Sequence, residues 1–107
     1  MAAFEGVNPF RSRWDLELVA QCMLGVCRFN DFQAKLNISR QVLAERLKYL
    51  VAEEILAREQ YQRGPARHEY RLTAKGHDLL PVLVAMEEWS ARWRPHASYD
   101  LIDTCTR

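Results

Sequence analysis

The sequence has few cysteines and no long apolar run, and each absence excludes a class of protein. Its 107 residues include three cysteines, too few for the disulfide framework of a small secreted domain. No apolar segment approaches the roughly 20 residues that a helix needs to span a bilayer. Segment 1–10 lacks the basic-then-apolar pattern of a signal peptide. We therefore expect a cytoplasmic protein with reduced thiols and no membrane segment.

The chain also lacks a large net charge, because 15 basic and 14 acidic side chains leave a formal charge of +1. The charge is nevertheless unevenly distributed. Residues 28–71 carry nine Lys or Arg and six Asp or Glu, whereas both flanking segments are slightly acidic. A local surplus of this size is compatible with a nucleic-acid partner and equally with an ordinary solvated surface.

Residue arrangements that carry catalysis or bind a metal are also missing. The sequence has no nucleophile paired with a nearby general base and no glycine-rich loop that could cradle phosphate. The adjacent carboxylates of Glu53–Glu54 and Glu87–Glu88 would point apart on a helix, which indicates solvated surface. The histidines are scattered, and Cys22 and Cys27 lack the spacing of a zinc-binding pair. We therefore expect no enzyme, no metal and no cofactor.

Residues 28–52 have patterns typical of two helices joined by a tight turn. Asn30 is a predicted N-cap for a short helix over 31–36, because its side chain can accept from the first free N–H groups. Asn37 tolerates the left-handed conformation that such a turn needs. Ser39 is the predicted N-cap of a longer helix. The apolar residues of that helix fall on one face: Leu43, Leu47, Leu50 and Val51.

After this helix the pattern changes to that of a β-hairpin. Segment 55–61 favours an extended strand, and segment 67–72 alternates between apolar and polar residues. Between them, Gly64–Pro65 provides strong turn chemistry. The order helix, turn, helix and hairpin predicts a winged helix.

Two apolar helices are predicted on either side of this unit. The first runs from about residue 13 to 24 and should stop at Gly25. The second follows the N-cap Thr73 and ends at Pro95. Pro81 lies inside it and should either kink the helix or remove one backbone bond. The chain is accordingly divided into an N-terminal arm over 1–12, one domain over 13–95 and a C-terminal tail over 96–107.

A set of residues follows the order and spacing of one bacterial family. Along the chain they are Arg13–Trp14, Gly25, Arg28–Phe29, Phe32, Ile38–Ser39, Leu43, Arg46–Leu47–Lys48, Leu50, Tyr61, Pro65, Glu69–Tyr70, Leu72–Thr73, Gly76, Leu80–Pro81, Leu83 and Trp89. In these residues the chain resembles the HxlR-type winged helix-turn-helix transcriptional regulators, relatives of the MarR group. The resemblance implies an α+β, mainly helical fold with a two-stranded wing and dimerisation helices at both ends.

The resemblance further implies a homodimer that binds a roughly two-fold DNA operator. It places the helix after Ser39 in the major groove and the wing at Arg63–Arg67 near the minor groove. Many members carry a redox- or electrophile-sensing cysteine in the N-terminal arm. This chain has Asn8–Pro9 in that region and no cysteine before Cys22. Whether the signal is a small molecule or a redox change therefore stays open.

The outer face predicted for the third helix has residue types that suit contact with DNA. Arg40 and Gln41, near the helix start, can bond purine edges through two atoms each. Arginines at the hairpin tip can enter a narrow minor groove. The candidate DNA-binding residues are Arg28, Ser39, Arg40, Gln41, Ala44, Glu45, Lys48, Arg63 and Arg67. The alternative is a solvated helix face on a winged helix that binds only another protein.

The last helix is more apolar than one small core requires, which indicates a dimer interface. The candidate interface residues are Trp14, Leu83, Met86, Trp89 and Trp93. The same residues are compatible with a pocket for a small-molecule effector. A carrier or enzyme built around the tryptophan-rich helix is a further alternative.

Four further polar or reactive side chains carry expectations of their own. Cys27 lies beside Arg28, which predicts a lowered thiol pKa and a reactive, redox-sensitive cysteine. Cys105, in the tail, could cross-link two subunits under oxidation. Cys22 is expected to be a buried small hydrophobe. Arg46 lies beside the leucine stripe and should tether the fold or bind a nearby phosphate.

Overall fold

The computed structural model describes residues 2–62 and 67–94, which form five helices and one antiparallel pair of strands. In chain order the elements are α1 (Arg13–Met23), α2 (Phe29–Leu36), α3 (Arg40–Ala52), β1 (Leu56–Gln62), β2 (Arg67–Leu72), α4 (Ala74–His77) and α5 (Leu80–Trp93). The predicted α+β, mainly helical winged helix-turn-helix is therefore confirmed. In the described part of the chain, no helix combines the length and apolar character that a membrane span requires.

Helix α1 begins and ends as its sequence predicts. Ser12 is its N-cap, and the Ser12 hydroxyl accepts from the backbone N–H of Trp14 at 3.1 Å. Asp15 completes a capping box by accepting from the Ser12 N–H. After the C-cap Leu24 the chain turns at Gly25, whose φ of 98° suits glycine.

The start of α2 differs from the prediction that Asn30 caps it. The helix begins at Phe29, and the N-cap is Arg28, whose side chain makes no capping bond. Arg28 has extended backbone and bridges Glu69 of β2, while the N–H of Tyr70 donates to the Cys27 carbonyl at 2.7 Å. Pairing with the wing, rather than a local cap, thus sets where this helix starts.

The link between α2 and α3 follows the sequence closely. Asn37 adopts the left-handed conformation with φ 51° and ψ 47°. The Ser39 hydroxyl accepts from the backbone N–H of Val42 at 3.2 Å and caps α3. Both predictions are confirmed, because each depends on chemistry within one turn of the chain.

The wing consists of β1 and β2, with Leu56 opposite Leu72 and the pairing continuing to Gln60 opposite His68. Its tip, residues 63–66, lies outside the described residues. Strand β1 begins one residue later than predicted, because the Ile55 N–H donates to the Leu50 carbonyl at the end of α3, at 3.0 Å.

The single last helix predicted after Thr73 is divided into α4 and α5. The Thr73 hydroxyl caps α4 as predicted, accepting from the N–H of Gly76 at 3.0 Å. Pro81 lies in the first turn of α5 and not in a helix interior. A proline is tolerated there since its missing N–H would have no helical partner. Pro95, the predicted end, lies outside the described residues.

One core joins the helices to the base of the wing. Its buried residues are Leu18, Val19, Phe32, Ile38, Leu43, Leu47, Leu50, Ile55, Leu56 and Leu83. Because the third helix supplies three of them, α3 is fixed along its inner face and presents its other face outward.

Gly76 is packed against the loop that leads into β1. A Cβ atom there would overlap the carbonyl oxygen of Ile55 and lie 2.9 Å from a methyl carbon of Leu72. We expect Gly76→Ala to lower the free energy of unfolding by about 1–3 kcal/mol, as overpacking does elsewhere. Urea denaturation would measure it. Exposed His77 on the same helix is the control, since His77→Ala should change stability by less than about 0.5 kcal/mol.

Candidate nucleic-acid interface

The outer face of α3 consists entirely of solvent-exposed residues. The residues predicted to contact DNA on this helix and at its cap are all exposed: Ser39, Arg40, Gln41, Ala44, Glu45 and Lys48. They alternate with the buried stripe because the helical period separates the two faces. The face therefore combines two cations, an amide and one carboxylate. Because they lie on one side of the helix, all of these side chains could face a single groove of DNA.

Arg40, the first residue of α3, contacts the first residue of the neighbouring helix α2. The central carbon of its guanidinium lies 4.9 Å from the centroid of the Phe29 ring. Phe29 is the first residue of α2 and is itself packed against the core. The contact falls within cation–π range, roughly 6 Å from the ring centroid. Sequence reasoning did not find this pair, which the turn between α2 and α3 brings together.

The wing and the start of α2 provide further cations. Arg58 and Arg71 are exposed on β1 and β2, and Arg71 donates to the Glu69 carboxylate at 2.7 Å. Arg28 is exposed beside the wing, at the bridge to Glu69. Of the two arginines predicted at the tip, Arg63 and the side chain of Arg67 lie outside the described residues.

Arg46 tethers α3 to α1, one of the two roles predicted for it. Its guanidinium makes two bonds to the fully buried carboxylate of Asp15, from Nε at 2.7 Å and from Nη2 at 3.1 Å. The same carboxylate accepts from the backbone N–H groups of Arg11 at 2.8 Å and Ser12 at 3.1 Å. Sequence reasoning missed Asp15. The pattern Ser-x-x-Asp at 12–15 was an available signal for the cap, though not for the partner on α3.

Tyr49 connects the N-terminal arm to the same helix. Its hydroxyl donates to the Pro9 carbonyl at 2.6 Å and accepts from Arg11 Nε at 3.2 Å. The guanidinium groups of Arg11 and Arg46 lie 5.5 and 4.8 Å from the centroid of its ring. Residues 9–12 are thus held against the helix that carries the candidate DNA contacts.

Among the residues that the structure describes, helix α5 leaves an apolar stripe uncovered. Val82, Met86, Trp89 and Trp93 are exposed to 47, 51, 59 and 67%. The interface role predicted for Leu83 is wrong, because this side chain is 3% exposed and belongs to the core of the protomer. Trp14 is half-buried on α1, with the Arg13 guanidinium 4.4 Å from its ring centroid.

The lowered pKa predicted for Cys27 is wrong. Its thiol donates to the Glu69 carboxylate at 3.0 Å, and this hydrogen bond is the main reason that the pKa of Cys27 is raised. Burial and the charge of Glu69 also raise this pKa, whereas the charges of Arg71 and Arg28 oppose the shift. Burial raises the pKa of Cys22 to about 12, although its side chain is half-buried against the core rather than fully buried as predicted. Cys105 lies outside the described residues.

A raised pKa predicts slow reaction of Cys27 with alkylating reagents near neutral pH, since only the thiolate reacts. In a Cys22→Ser, Cys105→Ser background, we expect the rate of iodoacetamide alkylation to reach half its maximum above the pH typical of a free thiol. Glu69→Gln should shift that midpoint downward, because it removes the negative charge beside the sulfur. A midpoint below that of a free cysteine would show that Arg28 governs the thiol instead.

The profile of HxlR-like helix-turn-helix proteins matches residues 10–98 of the chain. The HTH-type transcriptional regulator YvaP of Bacillus subtilis is 38% identical over 90 residues, which cover 83% of each chain. An HTH-type transcriptional regulator of Mycobacterium tuberculosis is 37% identical over 98 residues, or 86% of this chain. The chain spans 62% of the length of that mycobacterial relative.

Solved structures agree with these sequence relatives. The redox regulator HypR in its reduced form has a TM-score of 0.75 at 31% identity, covering 83% of this chain and 89% of its own. The reduced form of the transcriptional regulator YodB from Bacillus subtilis has a TM-score of 0.73 at 29% identity, covering 92% of this chain and 99% of its own. By its profile match, its relatives and its winged helix-turn-helix architecture, the chain belongs to the HxlR-like helix-turn-helix family.

Proposed function

We propose that this protein is a transcriptional regulator that binds an operator in double-stranded DNA. The observation that carries the proposal is the exposed face of α3, with Arg40, Gln41 and Lys48 directed outward on a helix fixed by its leucine stripe. Arginine and glutamine can each bond a purine edge through two atoms. In helix-turn-helix proteins, residues near the start of the second helix contact base edges. The regulators named among its relatives support the same function.

Contacts to the DNA backbone come from residues around this helix. Arg28, beside the wing, is suited to a phosphate, as are Arg58 and Arg71 on the strands. Such contacts add affinity without sequence choice. Arg63 and Arg67 at the tip of the wing are proposed to enter the minor groove.

The functional unit is a homodimer held together by the apolar stripe of α5, with Trp14 of α1 as a further interface residue. Val82, Met86, Trp89 and Trp93 form this uncovered stripe, and an apolar helix face of that size favours a partner. A two-fold dimer would present two copies of α3 to successive major grooves, about 34 Å apart along the DNA. The operator is accordingly pseudo-palindromic. The protein is cytoplasmic and associates with the nucleoid when it is bound to DNA.

A small-molecule effector is part of the proposal because an open apolar groove adjoins the α5 stripe. The groove lies between the arm, α1 and α5, with Phe10, Leu16 and Met86 among its lining residues. The arm that forms one wall is bonded to Tyr49 of α3. An occupant of the groove could therefore act on the position of α3.

Replacing Arg40 tests the assigned reading face. We expect Arg40→Ala to weaken binding to the protein's own upstream DNA by about 1–3 kcal/mol, the usual discrimination of one bidentate base contact. Binding to a scrambled duplex should change little. Fluorescence anisotropy on both duplexes measures the difference.

The control is Arg92→Ala, which removes the same charge from an exposed position on α5. Equal weakening on both duplexes would make Arg40 a phosphate contact. If neutralising Arg40, Gln41 and Lys48 together left DNA binding unchanged, the winged helix would instead serve as a protein-binding module.

A further inference from the structure

The stack between Phe29 and Arg40 joins the two helices of the helix-turn-helix at their N-terminal ends. Phe29 opens α2 and Arg40 opens α3, and the guanidinium carbon lies 4.9 Å from the ring centroid. The ring is half-buried and packs against the core, whereas the arginine is exposed. A rigid, core-anchored surface thus supports a long side chain that would otherwise sample many rotamers.

The way Arg40 is held leaves its hydrogen-bonding groups available. Within residues 2–62 and 67–94, the Arg40 guanidinium makes no hydrogen bond or ion pair. A cation–π contact engages the charge of the guanidinium and takes none of its five N–H donors into a hydrogen bond. The stack can therefore fix the side chain without occupying the donors that a base edge would accept.

We propose that Phe29 is a positioning residue for base reading by Arg40, an inference that rests on the proposed function. The ligand of the positioned guanidinium is a purine edge with two acceptors, as guanine presents in the major groove. Phe29 itself makes no base contact in this proposal. It restricts Arg40 to conformations near the one that binds, so less rotamer freedom is lost on binding.

The test is a double-mutant cycle on DNA affinity, with Phe29→Leu, Arg40→Ala and the double variant. Leucine keeps apolar volume at the site but removes the aromatic face. We expect Phe29→Leu to weaken the upstream duplex by about two- to fivefold, the range of a solvent-exposed cation–π contact. The scrambled duplex should change by less. In the Arg40→Ala background, Phe29→Leu should have no further effect on affinity. In the background that retains Arg40, Phe29→Tyr keeps the aromatic face and should bind as the wild type does.

The cycle separates positioning from a folding defect, because a loss caused by altered folding would appear in both backgrounds. If Phe29→Leu causes an equal loss of DNA affinity with and without Arg40, the proposal is overturned. Tighter operator binding by Phe29→Leu also overturns it, because the ring would then hold Arg40 away from DNA. The free protein offers a second measurement by NMR. The Arg40 Nε–H resonance should show a ring-current shift that Phe29→Leu abolishes. If the wild type shows no such shift, Phe29 and Arg40 are not in contact in solution and the proposal is overturned.

These outcomes differ from a failure of the proposed function. If the wild type binds both duplexes equally, operator recognition itself fails and the role of Phe29 falls with it. If the wild type is selective but the cycle shows no coupling, the regulator stands and the positioning role alone is wrong.

Discussion

Replacing Asp15 with alanine should lower the free energy of unfolding by about 3–5 kcal/mol, the cost of breaking a buried ion pair by removing one partner. The Asp15 carboxylate is fully buried and accepts four hydrogen bonds, two from Arg46 and two from backbone N–H groups at the start of α1. Alanine would leave the guanidinium of Arg46, whose side chain is 21% exposed, without its counter-charge. Urea denaturation followed by circular dichroism measures the change.

Two further variants sharpen this test. Glu17→Ala removes an exposed carboxylate from the same helix and should change stability by less than about 0.5 kcal/mol. Asp15→Asn keeps an acceptor for the N–H groups but loses the charge opposite Arg46. Its loss of unfolding free energy should therefore lie between those of Glu17→Ala and Asp15→Ala. A loss below about 1 kcal/mol for Asp15→Ala would show that the pair contributes little.

Replacing Trp89 with alanine should convert the proposed homodimer largely to monomer and weaken the proposed operator binding with it. Trp89 lies within the uncovered stripe of α5 and is 59% exposed in the protomer. A tryptophan at the middle of an interface commonly contributes about 2 kcal/mol or more, which is roughly 30-fold in the dimer dissociation constant. Sedimentation equilibrium measures the dimer, and anisotropy on the upstream duplex measures its consequence for DNA.

The exposure of Trp89 in the protomer makes this variant informative, because truncating an exposed side chain should leave the fold of each subunit intact. Glu88→Ala, at the exposed neighbouring position, is the matched control and should keep the dimer. An unchanged dimer in Trp89→Ala would place the interface elsewhere. A wild-type protein that is monomeric at micromolar concentration would contradict the homodimer itself.

The features predicted from sequence with most success are those encoded within a few residues. Ser39 as a cap, Asn37 in the left-handed turn and Thr73 as a cap all depend on contacts less than one helical turn away. The leucine stripe of α3 follows from helical period alone. Since these local patterns also determine the order of elements, the winged helix could be predicted before the structure.

The features that sequence reasoning missed depend on residues distant along the chain. Arg46 was expected to act as a tether or phosphate contact, but its partner Asp15 lies 31 positions away. Cys27 was assigned a lowered pKa from its neighbour Arg28, whereas Glu69, 42 positions away, has the larger effect in the opposite direction. Such pairs require the packing of several elements, which no local pattern specifies.

The most direct test of operator recognition is fluorescence anisotropy of the purified protein on its own upstream DNA and on a scrambled duplex, across a salt series. The account predicts affinity for the upstream duplex at least about a thousandfold above that for the scrambled one. It also predicts a steep fall in affinity with salt, since each neutralised phosphate releases counterions. Weak and equal binding to the two duplexes would contradict it.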